Sequence, residues 1–274
     1  MSASVLAAPA GLDAALDLRR RRRLKNWSLA VLTALLLGWC LRDTILADTD
    51  WSRLGGLDGI ASAVERFFWV DWGLLPNLVV PTIETFMMAT IGTLLGLIFS
   101  LPVAWLGAQN VTPSRTIAYP IGRFLMVMSR SIHEIIWALL FVAAVGLGAL
   151  PGILAVAMRS IGFISKMTAE AIENIDRKPI EAIQAVGGNR FQVMWYGIIP
   201  QIMPVVIGTI IFEWDINIRR SAVMGLVGAG GLGLVFFRQM AQFNYGGVTM
   251  VILAILVLIM IGETISHYAR KAVI

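Results

Sequence analysis

Residues 181–200 read EAIQAVGGNRFQVMWYGIIP, and they lie between an apolar run near 151–170 and another that begins near 198. The flanking runs suit lipid, whereas this piece mixes charged, polar and apolar residues and belongs in water. Pro179 suits the first turn of a helix, where its missing N–H leaves no bond unmade. Glu181 lies in the first turn, where a negative charge interacts favourably with exposed N–H groups. Gly187-Gly188 breaks the helix at a sharp bend, because glycine reaches left-handed geometry without Cβ strain. Asn189 is placed to cap a second helix through its side-chain oxygen. That helix displays Phe191, Met194 and Trp195 before Pro200 meets the membrane. The pattern predicts a short helix–turn–helix knob joined directly to spanning helices, with apolar side chains for a soluble partner to bury. The alternative is an amphipathic connector lying on the bilayer, a role that the paired glycines serve less well.

Outward from this segment the chain is strongly apolar. Hydrophobic residues make up 58% of its 274 residues and charged residues 14%, with a mean hydropathy of +0.78. Soluble domains carry about 25% charged residues, and a helix needs about 20 apolar residues to cross the hydrocarbon core. Several segments must therefore span. The runs are long and unbroken rather than alternating over about 10 residues, which argues against a β-barrel. The expected fold is all-α and polytopic.

Spans are expected at about 26–44, 79–107, 120–147, 151–171, 198–214 and 247–265. Arg19 to Arg23 and Lys25 precede the first span, so residues 1–25 read as a loosely held cytoplasmic tail that obeys the positive-inside bias. Residues 27–41 could pass for a signal-peptide core, but later spans and the lack of a small-residue cleavage site make them a retained helix. Basic residues at 177–190 and at 270–271 put the knob and the C terminus on the same side as the N terminus. The acid-rich segment at 45–75 goes outside, with Phe67, Phe68, Trp69 and Trp72 at the interfacial depth aromatic rings favour. Gly92 and Gly96, four apart, let a neighbouring backbone approach closely. Residues 26–274 then form one transmembrane domain, with a core at 80–265 and the knob within 177–198. Arg219 and Arg220 fall outside in this topology, against the inside rule, with Glu213 and Asp215 nearby to offset them.

Charges within apolar segments are expensive, so they face partner helices or a wet cavity. Arg130 and Glu134 are four apart and positioned to pair on one helical face. Glu84 falls near the outer end of the second span, and Arg159 and Lys166 punctuate the fourth. Either structural pairing or a place on a translocation route accounts for Glu84, Arg130, Glu134, Arg159, Arg219 and Arg220. Gly225, Gly228, Gly230, Gly231 and Gly233 predict a broken or re-entrant helix, a gate-like element, since irregular backbone is tolerated where it lines a cavity. Exposed N–H groups there could favour an anion, and tight dimer packing through the small residues is the alternative. A nucleotide loop would need Lys and then Ser or Thr after its glycines. His133 and His267, the two histidines, fall short of a metal site. Cys40, alone, gives no disulfide framework. No nucleophile–base pair stands out, and the basic tract at 19–25 abuts a span rather than a nucleic-acid-binding fold.

The Glu181-Ala182, Gly187 and Pro200 spacing resembles the EAA loop of permease subunits from bacterial ABC importers, with Ile183 in place of the usual second alanine. Four further stretches resemble the phosphonate and phosphite group of these permeases, relatives of the methionine-type importers. They are TIETFMMATIGTLLGLIFSLPVAWLGAQN (82–110), SRSIHEIIWALLFVAAVGLG (129–148), RSIGFISKMTAEAIENID (159–176) and RRSAVMGLVGAGGLG (219–233). The resemblance implies a type I importer permease of about six spans in a bacterial inner membrane. It also implies a homodimer, two ABC ATPase subunits that bind ATP and Mg, and an extracytoplasmic solute-binding protein. This chain would then hold no cofactor and catalyse nothing itself. Glu181, Ala182, Gly187, Gly188, Phe191, Trp195 and Pro200 would dock the ATPase. The implied substrate is a phosphonate, with phosphite or a phosphate ester as alternatives. A membrane scaffold or sensor that docks an ATPase without passing solute is the rival of another class.

Overall fold

The computed structural model describes residues 10–47 and 56–273. The start of the expected tail and residues 48–55 of the acid-rich segment lie outside these residues. The chain divides into two units, one ending at Val64 and one beginning at Glu65. In the first unit, α1 (Ala10–Leu41) is a 32-residue helix that runs on through a π-helical turn at Arg42–Ala47. Its basic cluster is thus helical and continuous with the apolar stretch rather than part of a loose tail. Five consecutive arginines with Lys25 beyond Leu24, unfavourable in isolation, are propagated into helix by the long Leu- and Ala-rich run that follows. The next helix, α2 (Gly56–Phe68), crosses the boundary between the units.

The second unit is a bundle of α3 (Leu75–Gly107), α4 (Ala118–Ser131), α5 (Glu134–Val145), α6 (Ala149–Glu173), α7 (Arg177–Ala185), α8 (Arg190–Gln192), α9 (Ile199–Met224), α10 (Gly231–Ala241) and α11 (Tyr245–Val273). Across the described residues, five helical stretches are long and apolar enough to cross a membrane: Arg19–Ile45, Trp72–Gly107, Ala149–Glu173, Arg190–Val227 and Tyr245–Val273. The pair α4–α5, bent by 90°, makes a sixth if it counts as one span. Its connections show that it crosses. The end of α3 meets the end of α6, where the Glu173 carboxylate accepts from the Gln109 N–H at 2.9 Å. Because α3 and α6 finish at the same level, the chain between them must return to the opposite side, and α4–α5 is that return.

This third span is broken rather than continuous as expected. Ile132 is extended, and His133 caps α5 by accepting from the Ile135 N–H through its side chain. The fifth span also differs. It runs through Arg219 and Arg220 as far as Met224, so the arginines sit on a spanning helix and not beyond its end. The bundle is held closely at α3–α6, where a Cβ on Gly92 would come within 2.6 Å of the Val156 side chain and one on Gly96 within 2.5 Å of the Ser160 side chain. Small residues at this seam let van der Waals packing act where lipid gives little hydrophobic drive. A second core joins Leu78, Ala89, Ile218, Leu232, Met250, Val251 and Leu258 across α3, α9, α10 and α11.

Candidate functional site

Two features stand out from the bundle: the knob at one end and a polar hub buried in the middle. The knob begins at Asp176, whose carboxylate caps α7 by accepting from the Lys178 N–H at 3.0 Å. After α7, Gly187 takes φ +85°, a left-handed conformation in which a Cβ would be strained. Asn189 then opens α8 with a reciprocal capping box. Its side chain accepts from the Gln192 N–H at 2.9 Å, and the Gln192 side chain accepts from the Asn189 N–H at 2.8 Å. The chain continues through a π-helical turn (Val193–Ile198) into α9, with Pro200 in the first turn.

Gln201 ties the knob's entry to its exit. Its side-chain oxygen accepts from the Asp176 N–H at 3.0 Å, and its amide donates to the carbonyls of Asp176 and Gly197 at 3.2 and 2.6 Å. Ile180 and Ile183 pack inward against the cluster that holds Ala169, Ile172, Val193 and Ile198. Val186, Phe191, Trp195 and Tyr196 stay exposed at 85%, 67%, 55% and 69%. The Phe191 and Trp195 rings lie nearly parallel, with centroids 6.4 Å apart. Glu181 and Ala182 are exposed on the same segment. Between the knob and the α3–α4 loop lies a cavity of 830 Å³, reached by Gln109, Arg115, Glu181, Gln184 and Arg190. The arrangement is a braced, partly apolar projection joined to two spanning helices.

The hub joins four helices. Glu213 is fully buried, and its carboxylate accepts from Arg220 Nη1 at 2.9 Å and from the Ser160 hydroxyl at 3.2 Å. Asn217 donates to Ser160 Oγ at 2.7 Å and to Thr93 Oγ1 at 2.9 Å, and accepts from Arg220 at 3.1 Å. Arg220 also lies 3.6 Å from Glu134, which in turn lies 3.9 Å from Arg159. Two carboxylates and two guanidinium groups therefore offset one another away from water, as isolated charges in lipid could not. Arg219 pairs separately with Asp215 at 2.5 Å. Arg130 and Glu134, expected to pair on one helical face, do not. The break at Ile132-His133 puts them on different helices, and Glu134 turns to Arg220 and Arg159. The backbone carbonyl of Arg130 instead accepts from the Arg159 guanidinium.

The glycine-rich segment interrupts helix between α9 and α10. Gly225–Val227 form a 3₁₀ turn, and Gly228, Gly230 and Gly231 have φ of +87°, +82° and +67°. Gly225 and Gly233 pack against each other so closely that neither has room for a Cβ. Two of the N–H groups that open α10 are already taken. Glu84 accepts from the Gly231 N–H at 3.0 Å and Thr85 from the Leu232 N–H at 2.9 Å. Glu84 thus acts as a helix-capping anion reaching across from α3, favourable at a helix N terminus. Ser160, Thr93 and Asn217 carry no sequence signal of their own, since small polar residues in apolar runs are common and their partners are 57 to 124 residues away.

A multi-spanning helical bundle whose spanning helices carry a rigid, water-facing knob is the build of a membrane permease subunit. Residues 100–274 match the family described as "Binding-protein-dependent transport system inner membrane component", and the chain belongs to that family. It is a multi-pass, inner-membrane permease subunit of an ABC-type importer. The phosphite transport system permease protein PtxC of Stutzerimonas stutzeri is 37% identical over 218 residues, 80% of this chain and 79% of that protein. The phosphate-import permease protein PhnE of Mycolicibacterium smegmatis is 34% identical over 191 residues, 70% of this chain and 36% of that protein. The fold is similar to that of the methionine ABC transporter MetNI in an inward-facing conformation. The TM-score is 0.65 at 22% identity, over 75% of this chain and all of that one.

Proposed function

We propose that this permease passes a phosphorus oxyanion, a phosphonate or the related phosphite or phosphate ester, into the cell. In this reading two copies form the pathway, and two ABC ATPase subunits hold ATP and Mg and receive the knobs. An extracytoplasmic binding protein delivers the solute. The basic residues at 19–25, 177–190 and 270–271 support placing the knob and both termini in the cytoplasm. The substrate class rests on the relatives, whose names refer to phosphite and phosphate. Glu181, Ala182, Gly187, Gly188, Phe191, Trp195 and Pro200 act in ATPase docking, and the interruption at Gly225–Gly233 acts as the hinge or gate.

The observation that carries this function is the construction of the knob. Its aromatic face is exposed, its turn is fixed by Gly187 and the capping box, and Gln201 clamps its two ends together. Closure of the two ATPase subunits would draw the knobs together and rock α6 and α9, to which each knob is joined. The test is a reconstituted complex of permease, ATPase subunits and binding protein. ATP hydrolysis is expected to rise when the binding protein is loaded with 2-aminoethylphosphonate, methylphosphonate or phosphite. Stimulation by none of these, or by methionine alone, would refute the substrate class.

A further inference from the structure

One cavity lies away from the knob and meets the hub only at Arg159. It occupies 360 Å³ between α4 and α6 and is lined by Arg123, Arg130, Arg159 and Lys166 with Met126, Val127 and Ser131. Four cations face it and no carboxylate lines it. The geometry follows from helical period. Arg123 and Arg130 are seven residues apart on α4, as are Arg159 and Lys166 on α6, so each pair shares a face with a rise of about 10 Å. The two helices run antiparallel: Arg123 meets Glu173 at the end of α6, while Arg159 donates to the Arg130 carbonyl higher up. The result is a ladder of positive charge that climbs from the end nearest the knob toward the middle of the bundle.

The rungs differ in how far they are neutralised. Arg123 is held by Glu173 at 2.7 Å, and Lys166 lies 3.5 Å from Glu170. Arg159 shares Glu134 with Arg220, and its Nε is buried without a hydrogen-bond partner among the described residues. Arg130 has no carboxylate within ion-pair distance among the described residues, although it is half-buried. Cations at membrane depth are retained where a partner or a wet route requires them, and a low-dielectric cleft of one sign concentrates counter-ions. The volume suits a small ligand with several waters. Guanidinium forks match tetrahedral oxyanions, each offering two parallel N–H donors.

We propose that this α4–α6 cavity is an anion way station, in which Arg130, assisted by Arg159, Lys166 and Arg123, holds the transported phosphorus oxyanion on the knob-proximal half of its route. The assignment rests on the proposed substrate class and adds to it the residues that touch the solute. The same chemistry would suit a phospholipid headgroup, and the test separates the two sources.

The permease–ATPase complex, in phosphatidylcholine nanodiscs, is titrated with radiolabelled phosphate and phosphite, and ATP-driven uptake is followed in matched proteoliposomes. Arg130→Gln is expected to weaken anion binding by about 10- to 100-fold, the loss that accompanies a charged hydrogen bond. Arg130→Lys should recover part of that loss, and Arg238→Gln, a cation outside the cavity, should recover nothing because it loses nothing. Should Arg130→Gln fail to assemble, the half-exposed Lys166→Gln decides the matter by weakening binding in an intact complex. Normal binding in the assembled variants, with wild-type uptake intact, would overturn the site while leaving the substrate class standing. Failure of wild type to take up any phosphorus oxyanion would instead remove the substrate class itself. Displacement of bound phosphate by phosphatidylglycerol, with that lipid co-purifying with wild type but not with Arg130→Gln, would assign the cavity to lipid and overturn the proposal.

Discussion

Replacing Arg220 by Gln should strike the bundle at its least forgiving point. The guanidinium lies 2.9 Å from a Glu213 carboxylate that is fully buried, and 3.6 Å from Glu134. Once it is gone, the Ser160 hydroxyl is the remaining donor to Glu213, and the other carboxylate oxygen already has no partner among the described residues. Removing one member of a buried ion pair costs about 3–5 kcal/mol, because the surviving charge stays out of water. Glu213→Gln should be milder, since Arg220 keeps Glu134 and Asn217. In the double variant no charge is left stranded at Glu213, so the two losses should fall short of additivity by about 1–3 kcal/mol. Unfolding of the purified permease in mixed micelles, followed through tryptophan fluorescence across the four-member cycle, measures all three quantities. An Arg220→Gln loss below about 1 kcal/mol, or strict additivity in the cycle, would show that the hub is not the electrostatic unit described.

Further consequences concern the knob, the topology and the hinge. Glu181→Lys or Gly187→Pro should leave membrane insertion intact but reduce ATPase-subunit recovery on co-purification and uncouple uptake; unchanged recovery and uptake in both would remove the docking assignment. Single cysteines at Arg115, Ala185 and Val273, in a Cys40-free background, should resist an impermeant thiol reagent in intact cells, whereas one at the exposed Leu147 should react. Labelling of Ala185→Cys from outside would invert the topology. Glu84→Gln should lower stability by about 1 kcal/mol, the usual loss at a helix cap, and loosen α10 in hydrogen exchange; unaltered protection at Gly231 and Leu232 would contradict its capping role.

What the sequence made legible was the part written in local chemistry. Apolar runs long enough to span announce α1, α3, α6, α9 and α11, and Gly187-Gly188 with Asn189 announces the turn and second helix of the knob. The break inside the third span was not legible. Neither Ile132 nor His133 is a helix breaker by type, and only the bend shows that Arg130 and Glu134 face different neighbours. The true end of α9 was hidden for a related reason. Arg219 and Arg220 read as outside residues because their charge disfavours lipid, whereas in the fold Asp215, Glu213 and Glu134 neutralise them. Glu84 is similar, its role fixed by an N–H group 147 residues away. Long-range partners decide what a charge in a span does, and a single sequence does not display them.

The central claim is that this permease carries a phosphorus oxyanion only when its knob is driven by an ATPase. The most direct measurement is accumulation of radiolabelled phosphite and methylphosphonate in proteoliposomes containing the permease, its ATPase subunits and loaded binding protein, with and without ATP. The account predicts accumulation that requires ATP and every subunit and is abolished by Glu181→Lys. Equal uptake without ATP, or ATP hydrolysis stimulated by the binding protein with no solute accumulated, would contradict it.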